Sequence, residues 1–208
     1  MNQVNPPRAL LSVYDKTGIV AFADALVTLG WEIISSGVTA QELINANISV
    51  TEVSEITQSP EMLEGRVKTL HPLIHGGILA DRSNPNHLAD LKKHGITPID
   101  LVVSNLYPFN SDPGIEMIDI GGSTMVRAAA KNHAYVGVIV EPTDYDLVIE
   151  EIKTQGTLTT ETRSYLAHKA FMHTASYDHQ ISGWLNRDSQ DLPDSLHIEL
   201  TEAETLRY

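Results

Sequence analysis

The chain has 208 residues, of which 42% are hydrophobic, and this suits one folded domain with room for a helical extension. Its formal net charge of −13 argues against nucleic acid and anionic membranes as partners. No apolar run reaches membrane-spanning length, and residues 1–7 are polar with two prolines, unlike a signal peptide. The lack of cysteine excludes disulfides and thiolate metal sites and fits a cytoplasmic location.

The first quarter of the chain alternates between strand and helix patterns. Residues 19–29 carry apolar side chains at helical spacing and end at Gly30. The predicted elements are strands at 8–13, 31–34 and 48–53 and helices at 19–29 and 40–45. This alternation predicts a doubly wound α/β fold with a parallel sheet, in which ligands bind beyond the carboxyl ends of the strands.

The segment 57–77 has no regular period and is rich in glycine, histidine and charged residues. Loops of this length inside compact domains are usually functional, so we expect an irregular functional loop here. After it, the sequence predicts a surface helix at 85–94 and a fourth strand at 99–106.

Residues 118–140 combine an acid, a turn, a helix and a strand. Asp119 lies between two isoleucines and precedes a Gly pair and then Ser123 and Thr124, which favour a helix start. Residues 125–131 contain no helix breaker, and the helix would place Asp119 near its N-terminus and Lys131 near its C-terminus. The aromatic and β-branched run at 135–140 predicts a fifth strand.

The remaining chain predicts helices at 143–154 and 159–185. From residue 186 the sequence becomes polar and acidic and contains Pro193. We therefore expect one domain over residues 1–185, including the helical extension, and an extended tail over 186–208.

Two small-residue loops, 12–16 and 35–39, each follow a predicted strand and precede a helix. They offer hydroxyls, backbone N–H groups and one lysine, which together could hold a phosphate. Neither is a GxGxxG or a Walker loop, so nothing indicates a dinucleotide or ATP. The alternative is that these residues only cap helices.

Cations and donors also cluster in the middle of the chain. Arg66 and Lys68 alternate along an extended segment and point to the same side, which could hold an anion or remain a solvated pair. Asn105 and Tyr107 end a predicted strand, at the edge where ligands bind. The nine histidines have no spacing that fits a metal geometry, so no metal site is expected.

Together, these positions supply Asp119 as an acid or base, Lys68 and Lys131 as cationic donors, and Tyr107 as a neutral donor. No cofactor fingerprint and no activated nucleophile is present. Proton transfer and oxyanion stabilisation by well-placed groups is the chemistry that such a set can perform.

Five motifs, in order along nearly the whole chain, resemble one known family. They are Tyr14-Asp15-Lys16-Thr17-Gly18, Gly65-Arg66-Val67-Lys68-Thr69-Leu70-His71-Pro72, Asn105-Leu106-Tyr107-Pro108-Phe109, Ile118-Asp119-Ile120-Gly121-Gly122 and Arg127-Ala128-Ala129-Ala130-Lys131-Asn132-His133. The family is the IMP cyclohydrolase domain of bifunctional purine biosynthesis proteins. The end of the chain, 205–208, is similar to the start of that family's second domain, the AICAR transformylase.

The resemblance implies a methylglyoxal-synthase-like fold of three layers and about five mainly parallel strands. It also implies closure of 5-formamidoimidazole-4-carboxamide ribotide to IMP with loss of water, without a cofactor. The expected partners are a nucleoside monophosphate, a C-terminal transformylase domain in the parent protein and a second copy in a homodimer.

The resemblance also implies roles for single residues. Asp119 would take a proton from the attacking carboxamide nitrogen, Tyr107 and Lys68 would stabilise the formyl oxyanion, and Lys131 would orient Asp119 or relay the proton. The expected phosphate ligands are Ser12, Lys16, Ser36, Gly37 and Thr39. The residues expected to frame the base and ribose are Arg66, Thr69, Asn105 and Gly121.

Two features depart from the family pattern. Val38 replaces the second glycine of the 35–39 loop, and a β-branched residue disfavours positive φ and crowds a phosphate. The segment 110–114 is shorter than expected, which would open that side of the pocket.

A second hypothesis comes from the same fold used without chemistry. It resembles the effector-binding regulatory domain of carbamoyl phosphate synthetase, which binds small ligands. Pure binding would not need the set Lys68, Tyr107, Asp119 and Lys131, and this set distinguishes the two hypotheses.

Overall fold

The computed structural model describes residues 5–64 and 66–187. Within them, five strands form one sheet in which every pairing is parallel. The strands are β1 Arg8–Leu11, β2 Glu32–Ser35, β3 Thr51–Glu52, β4 Leu101–Val103 and β5 Gly137–Ile139, in the spatial order β3-β2-β1-β4-β5. The predicted doubly wound parallel sheet is therefore confirmed, although four of the five strands are shorter than predicted and β2 is shifted by one residue.

Eight helices complete the described part of the fold. They are α1 Ile19–Thr28, α2 Gly37–Asn45, α3 Val53–Thr57, α4 Pro72–Leu79, α5 Pro85–His94, α6 Ile120–Lys131, α7 Tyr145–Gln155 and α8 Thr160–Leu185. Short 3₁₀ turns lie at Phe109–Ser111, Ile115–Met117 and Pro142–Asp144. The helix predicted at 85–94 has the observed bounds, and the long C-terminal helix is confirmed.

The helices form layers on the two faces of the sheet. On one face α1 contacts α2 and α7, and on the other α6 contacts α4 and α8. This arrangement follows from right-handed crossovers. The connections from β1 to β2 and from β2 to β3 run one way along the sheet and place α1 and α2 on one face. The connection from β4 to β5 runs the other way and places α6 on the opposite face. All residues of β4 and β5 are buried, as expected for a parallel sheet covered on both faces.

Helix α4 corrects one expectation, because its residues were predicted to belong to the irregular segment. Pro72 fits the first helical turn, where no N–H partner is needed, and the His71 Nδ1 atom accepts a hydrogen bond from the Leu73 N–H at 3.2 Å. A Cβ at Gly76 would lie 2.9 Å from Ile96, and one at Gly77 would lie 2.7 Å from a backbone oxygen. The two glycines therefore allow close packing rather than a break in the helix.

No helix among the described residues is long and apolar enough to cross a membrane. Helix α8 ends at Leu185, which agrees with the predicted end of the helical extension. Of the predicted tail at 186–208, all but residues 186 and 187 lie outside the described residues.

Candidate active site

A cleft of about 850 Å³ opens at the carboxyl edge of the sheet. It lies between the segments that follow β1 and β4, where the strand order reverses, which is where ligands bind in sheets of this type. Twelve of the thirteen predicted site residues line it: Ser12, Lys16, Ser36, Gly37, Thr39, Arg66, Lys68, Thr69, Asn105, Tyr107, Asp119 and Gly121. The structure therefore brings these twelve residues together at one cleft, although several of them already have hydrogen-bond or ion-pair partners within the chain.

Asp119 is the N-cap of α6. The sequence placed it near the helix N-terminus but expected Ser123 and Thr124 to start the helix, and this start is wrong because both lie inside α6, which begins at Ile120. One carboxylate oxygen, Oδ1, accepts a hydrogen bond from the Gly122 N–H at 2.7 Å. Burial raises the pKa of this carboxyl, and the Gly122 hydrogen bond opposes that rise without cancelling it. A carboxylate whose pKa is raised holds a proton more readily, so Asp119 is suited to accept one from a substrate.

Gly122 is a site residue that the sequence analysis did not select. A Cβ at this position would lie 2.4 Å from Asp119 Oδ2 and 2.9 Å from Leu106 Cδ2. Only glycine leaves room for the Asp119 carboxylate to lie over the first turn of α6. The Gly-Gly pair predicted that some group comes close to the backbone here, but it did not predict that this group is the Asp119 carboxylate.

Tyr107 stands at the end of the β4 segment and is 38% exposed, with its ring edge-on to Tyr14 at 5.4 Å between centroids. Burial raises the pKa of the Tyr107 phenol, Asp119 raises it further, and Lys68 lowers it. The three groups thus share one electrostatic environment. Tyr107 stays protonated at neutral pH and can donate a hydrogen bond.

Lys68 lies in the cleft close to both Tyr107 and the start of α2. Its Nζ lies 3.0 Å from Glu61 Oε2, and a Cβ at Gly37 would lie 2.9 Å from the same Nζ. Ser36 is the N-cap of α2, and its hydroxyl makes no capping hydrogen bond. The N-terminus of α2 therefore offers free N–H groups and an unused hydroxyl, which favour an anion there.

The backbone strain expected at Val38 is absent in the structure, whereas the expected crowding of a phosphate stays a prediction. Gly37 adopts the positive φ of 55° that this turn requires, whereas Val38 is not among the residues with positive φ. The Val38 side chain is 71% exposed at the rim of the cleft.

Beside the short segment 110–114, the expected opening stays a prediction. Ile115, Glu116 and Met117 line the cleft on that side. Arg66 reaches across to Glu116 through two hydrogen bonds, one of them from Nε to Oε2 at 3.2 Å. This ion pair spans the mouth of the cleft, so Arg66 has a partner within the chain before any ligand binds.

Three residues that were predicted to contact the substrate instead make hydrogen bonds within the chain. These bonds hold the loop that follows β1. The Asn105 side chain accepts from the Tyr14 and Asp15 N–H groups at 2.6 and 2.9 Å and donates to the Asp15 carbonyl at 2.9 Å. The Thr39 hydroxyl donates to the Val13 carbonyl at 3.0 Å. Lys16 Nζ donates to the Val13 and Tyr14 carbonyls, each at 3.2 Å.

The remaining predicted ligands lie deeper in the cleft. The Ser12 N–H donates to the Val103 carbonyl at 2.8 Å, which continues the β1–β4 pairing into the site. Thr69 is 4% exposed, and its Oγ1 would lie 3.1 Å from a Cβ at Gly121. Thr69 therefore packs against the start of α6.

Lys131 does not line the cleft. It is the last residue of α6, and a helix that rises 1.5 Å per residue puts it roughly 18 Å from Asp119. Within one chain, the predicted contact between Lys131 and Asp119 is therefore wrong. The sequence predicted a shorter helix at 125–131, and α6 is longer because it begins at Ile120.

Among residues 5–64 and 66–187, no group of three histidine or acidic side chains could hold a metal ion. His71 is occupied as the N-cap of α4. The groups available in the cleft are thus a carboxylate of raised pKa, a phenol and an ammonium at one end. At the other end lie hydroxyl-bearing and N–H-bearing loops. This set can move a proton, stabilise a developing oxyanion and hold an anionic group of the ligand.

Comparisons with known proteins agree with this geometry. The family model described as "MGS-like domain" matches residues 18–136, and the model described as "AICARFT/IMPCHase bienzyme" matches residues 129–208. The chain is 51% identical over 97% of its length to the bifunctional purine biosynthesis protein PurH of Thermoanaerobacter sp. (strain X514), and it covers 42% of that protein. It is also 51% identical over 97% of its length to PurH of Persephonella marina, of which it covers 41%.

A solved structure is similar as well. The crystal structure of a protein named ForH superposes with a TM-score of 0.79 and 35% identity over 87% of this chain and 100% of that one. The chain spans about two-fifths of the length of the PurH proteins that it matches.

Proposed function

Because the chain belongs to the family of MGS-like domains, in the branch found in bifunctional purine biosynthesis proteins, we propose that it is an IMP cyclohydrolase. It would close the ring of 5-formamidoimidazole-4-carboxamide ribotide (FAICAR) to give IMP and water. The main support is the position of Asp119, a half-buried carboxylate of raised pKa that shares a cleft with Tyr107 and Lys68.

In this reaction the carboxamide nitrogen attacks the formyl carbon and gives up one proton. Asp119 accepts that proton, and its raised pKa makes it a stronger base than an ordinary carboxylate. The new N–C bond turns the formyl oxygen into an oxyanion. Lys68 and Tyr107, which both carry a proton to donate, stabilise that charge.

The second half of the reaction expels water. The former formyl oxygen leaves with two protons, and loss of the formamido N–H proton leaves a C=N bond in the closed ring. Holding both reacting groups in one cleft supplies much of the rate, because ring closure depends on their orientation. The phosphate of the ribotide would lie at Ser36 and the N-terminus of α2, at the other end of the cleft from the reacting groups.

The test is ultraviolet absorbance on mixing the protein with FAICAR. Wild type is expected to change the spectrum, whereas Lys68→Ala and Asp119→Ala are each expected to lower kcat by about 100-fold or more. Lys92→Ala, on the exposed face of α5, is the charge-matched control and should retain the wild-type rate. Wild-type rates in both cleft variants would refute the assignment.

The same experiment separates the second hypothesis. Folded wild-type protein that binds IMP and leaves the FAICAR spectrum unchanged would indicate a non-catalytic effector-binding domain.

We propose, further, that a transformylase domain follows this chain in the parent protein. The length of the PurH relatives and the match to the bienzyme model over 129–208 support this. A homodimer and a cytoplasmic location also remain proposals, which rest on the family and on the composition.

A further inference from the structure

Tyr177, on the long helix α8, contacts the backbone that carries Asp119. Its hydroxyl accepts a hydrogen bond from the Asp119 N–H at 2.8 Å and donates one to the Met117 carbonyl oxygen. A hydroxyl can donate and accept at the same time, so one side chain satisfies both groups. The backbone on both sides of Ile118 is thereby tied to a residue 58 positions beyond Asp119.

Tyr177 is itself firmly held. It is 4% exposed, and its ring meets Phe109 edge-on with centroids 6.1 Å apart. Together with Leu106, the two rings form a small buried cluster that is separate from the main core, and Met117 and Trp184 pack against it. Leu106 and Phe109 flank Tyr107 in the sequence, so this cluster supports the segments that carry both Tyr107 and Asp119.

From this geometry we propose that Tyr177 is a positioning residue for Asp119 in the proposed ring closure, and the inference rests on that proposed function. The hydroxyl fixes the backbone of 117–119 so that the N-cap carboxylate stays over Gly122 and faces the cleft. Without the hydroxyl, the Asp119 N–H would lose its partner in a half-buried segment, and the backbone would have to shift to find another. The N-cap hydrogen bond to Gly122 would then weaken.

The first measurement is steady-state kinetics of Tyr177→Phe, which removes the hydroxyl and keeps the ring. We expect kcat to fall by about 10- to 100-fold with KM within about threefold, because substrate contacts remain while the base is less well oriented. Tyr165→Phe is the matched control on the same helix, since Tyr165 is 50% exposed and does not line the cleft. In an Asp119→Ala background, Tyr177→Phe should have no further effect.

The second measurement needs no activity. Amide hydrogen exchange at Asp119 and Gly122 reports the hydroxyl contact and the position of the carboxylate. Tyr177→Phe is expected to speed exchange at both amides by about tenfold or more, and Tyr165→Phe to leave it unchanged. If Tyr177→Phe folds poorly, Phe109→Leu, which loosens the support of the ring but keeps the hydroxyl, should show a smaller effect in the same direction.

The outcomes for the two proposals differ. A wild-type rate in Tyr177→Phe, or unchanged exchange at Gly122, overturns the positioning role while the cyclohydrolase proposal stands. An additive loss in the Asp119→Ala background also overturns it. If wild-type protein does not close the ring, the cyclohydrolase proposal fails, and the exchange rates alone decide whether Tyr177 holds Asp119.

Discussion

At the scale of single residues, Gly122 shows how the site reverses an ordinary rule. Glycine inside a helix usually costs about 1 kcal/mol relative to alanine, so Gly→Ala is normally stabilising. Here the added Cβ would lie 2.4 Å from Asp119 Oδ2. We expect Gly122→Ala to lower kcat by at least about tenfold and to reduce the free energy of unfolding, because the carboxylate must leave its N-cap position.

Urea denaturation and the absorbance assay measure both effects of Gly122→Ala. Gly114→Ala serves as the control, because a Cβ there meets no atom within 4 Å and φ is −174°, an extended value open to any residue. A Gly122→Ala protein that is both more stable and fully active would show that the carboxylate does not depend on this space.

The small-residue loops after β1 and β2, together with the motifs that carry the family resemblance, pointed to the side chains that line the cleft. They were not sufficient to predict how those side chains are used. Asn105 was expected to frame the ligand, yet its amide binds a loop about 90 residues earlier in the chain. Glu61 and Glu116 were not selected at all, because a glutamate gains a role only when folding brings it to Lys68 or Arg66.

At the scale of elements, Lys169 joins α8 to the turn that precedes α7. Its Nζ lies 2.7 Å from both Glu141 Oε2 and Asp144 Oδ2. Burial alone would lower the pKa of Lys169, but the hydrogen bonds and charges of Asp144 and Glu141 outweigh it and raise the pKa. Asp144 is only 5% exposed, so it depends on this lysine for compensation.

Lys169→Met should therefore lower the free energy of unfolding by about 2–4 kcal/mol, because it leaves the buried Asp144 carboxylate without its partner. Lys153→Met removes an equally short but exposed ion pair with Glu150 and should cost no more than about 0.5 kcal/mol. Chemical denaturation of the two variants decides the point. Equal losses of unfolding free energy in the two variants would mean that the burial of Asp144 does not increase the cost of removing its partner.

Elements with a clear period were predictable, and elements shaped by close packing were not. The helix predicted at 85–94 has the observed bounds. Helix α6 was expected to start at Ser123 and Thr124, but Asp119 is its N-cap and the Gly pair lies in its first turn, because Gly122 leaves room for the Asp119 carboxylate. Helix α4 was missed because Pro72, Gly76 and Gly77 look like helix breakers. Their helical use depends on how closely Ile96 and Thr97 approach in space.

At the scale of the whole molecule, an overall charge of −13 opposes an anionic ligand, so the cleft must create its own attraction. The ligand-free cleft partly neutralises its cations, since Lys68 pairs with Glu61 and Arg66 with Glu116. A phosphate that binds near α2 would therefore be held mainly by the free N–H groups of that helix and the unused Ser36 hydroxyl, because a phosphate can accept from all of them at once.

This argument predicts that the phosphate carries much of the binding energy, and thermal unfolding can measure it. IMP at about 100 times its Kd should stabilise the fold by about 2.7 kcal/mol, because a ligand that binds only the folded state shifts the equilibrium by mass action. For a domain of this size that raises Tm by roughly 5–10 °C. Inosine at the same concentration lacks the phosphate and should give a much smaller shift. A shift from inosine equal to that from IMP would mean that the loops after β1 and β2 act only as helix caps, and that the phosphate lies elsewhere.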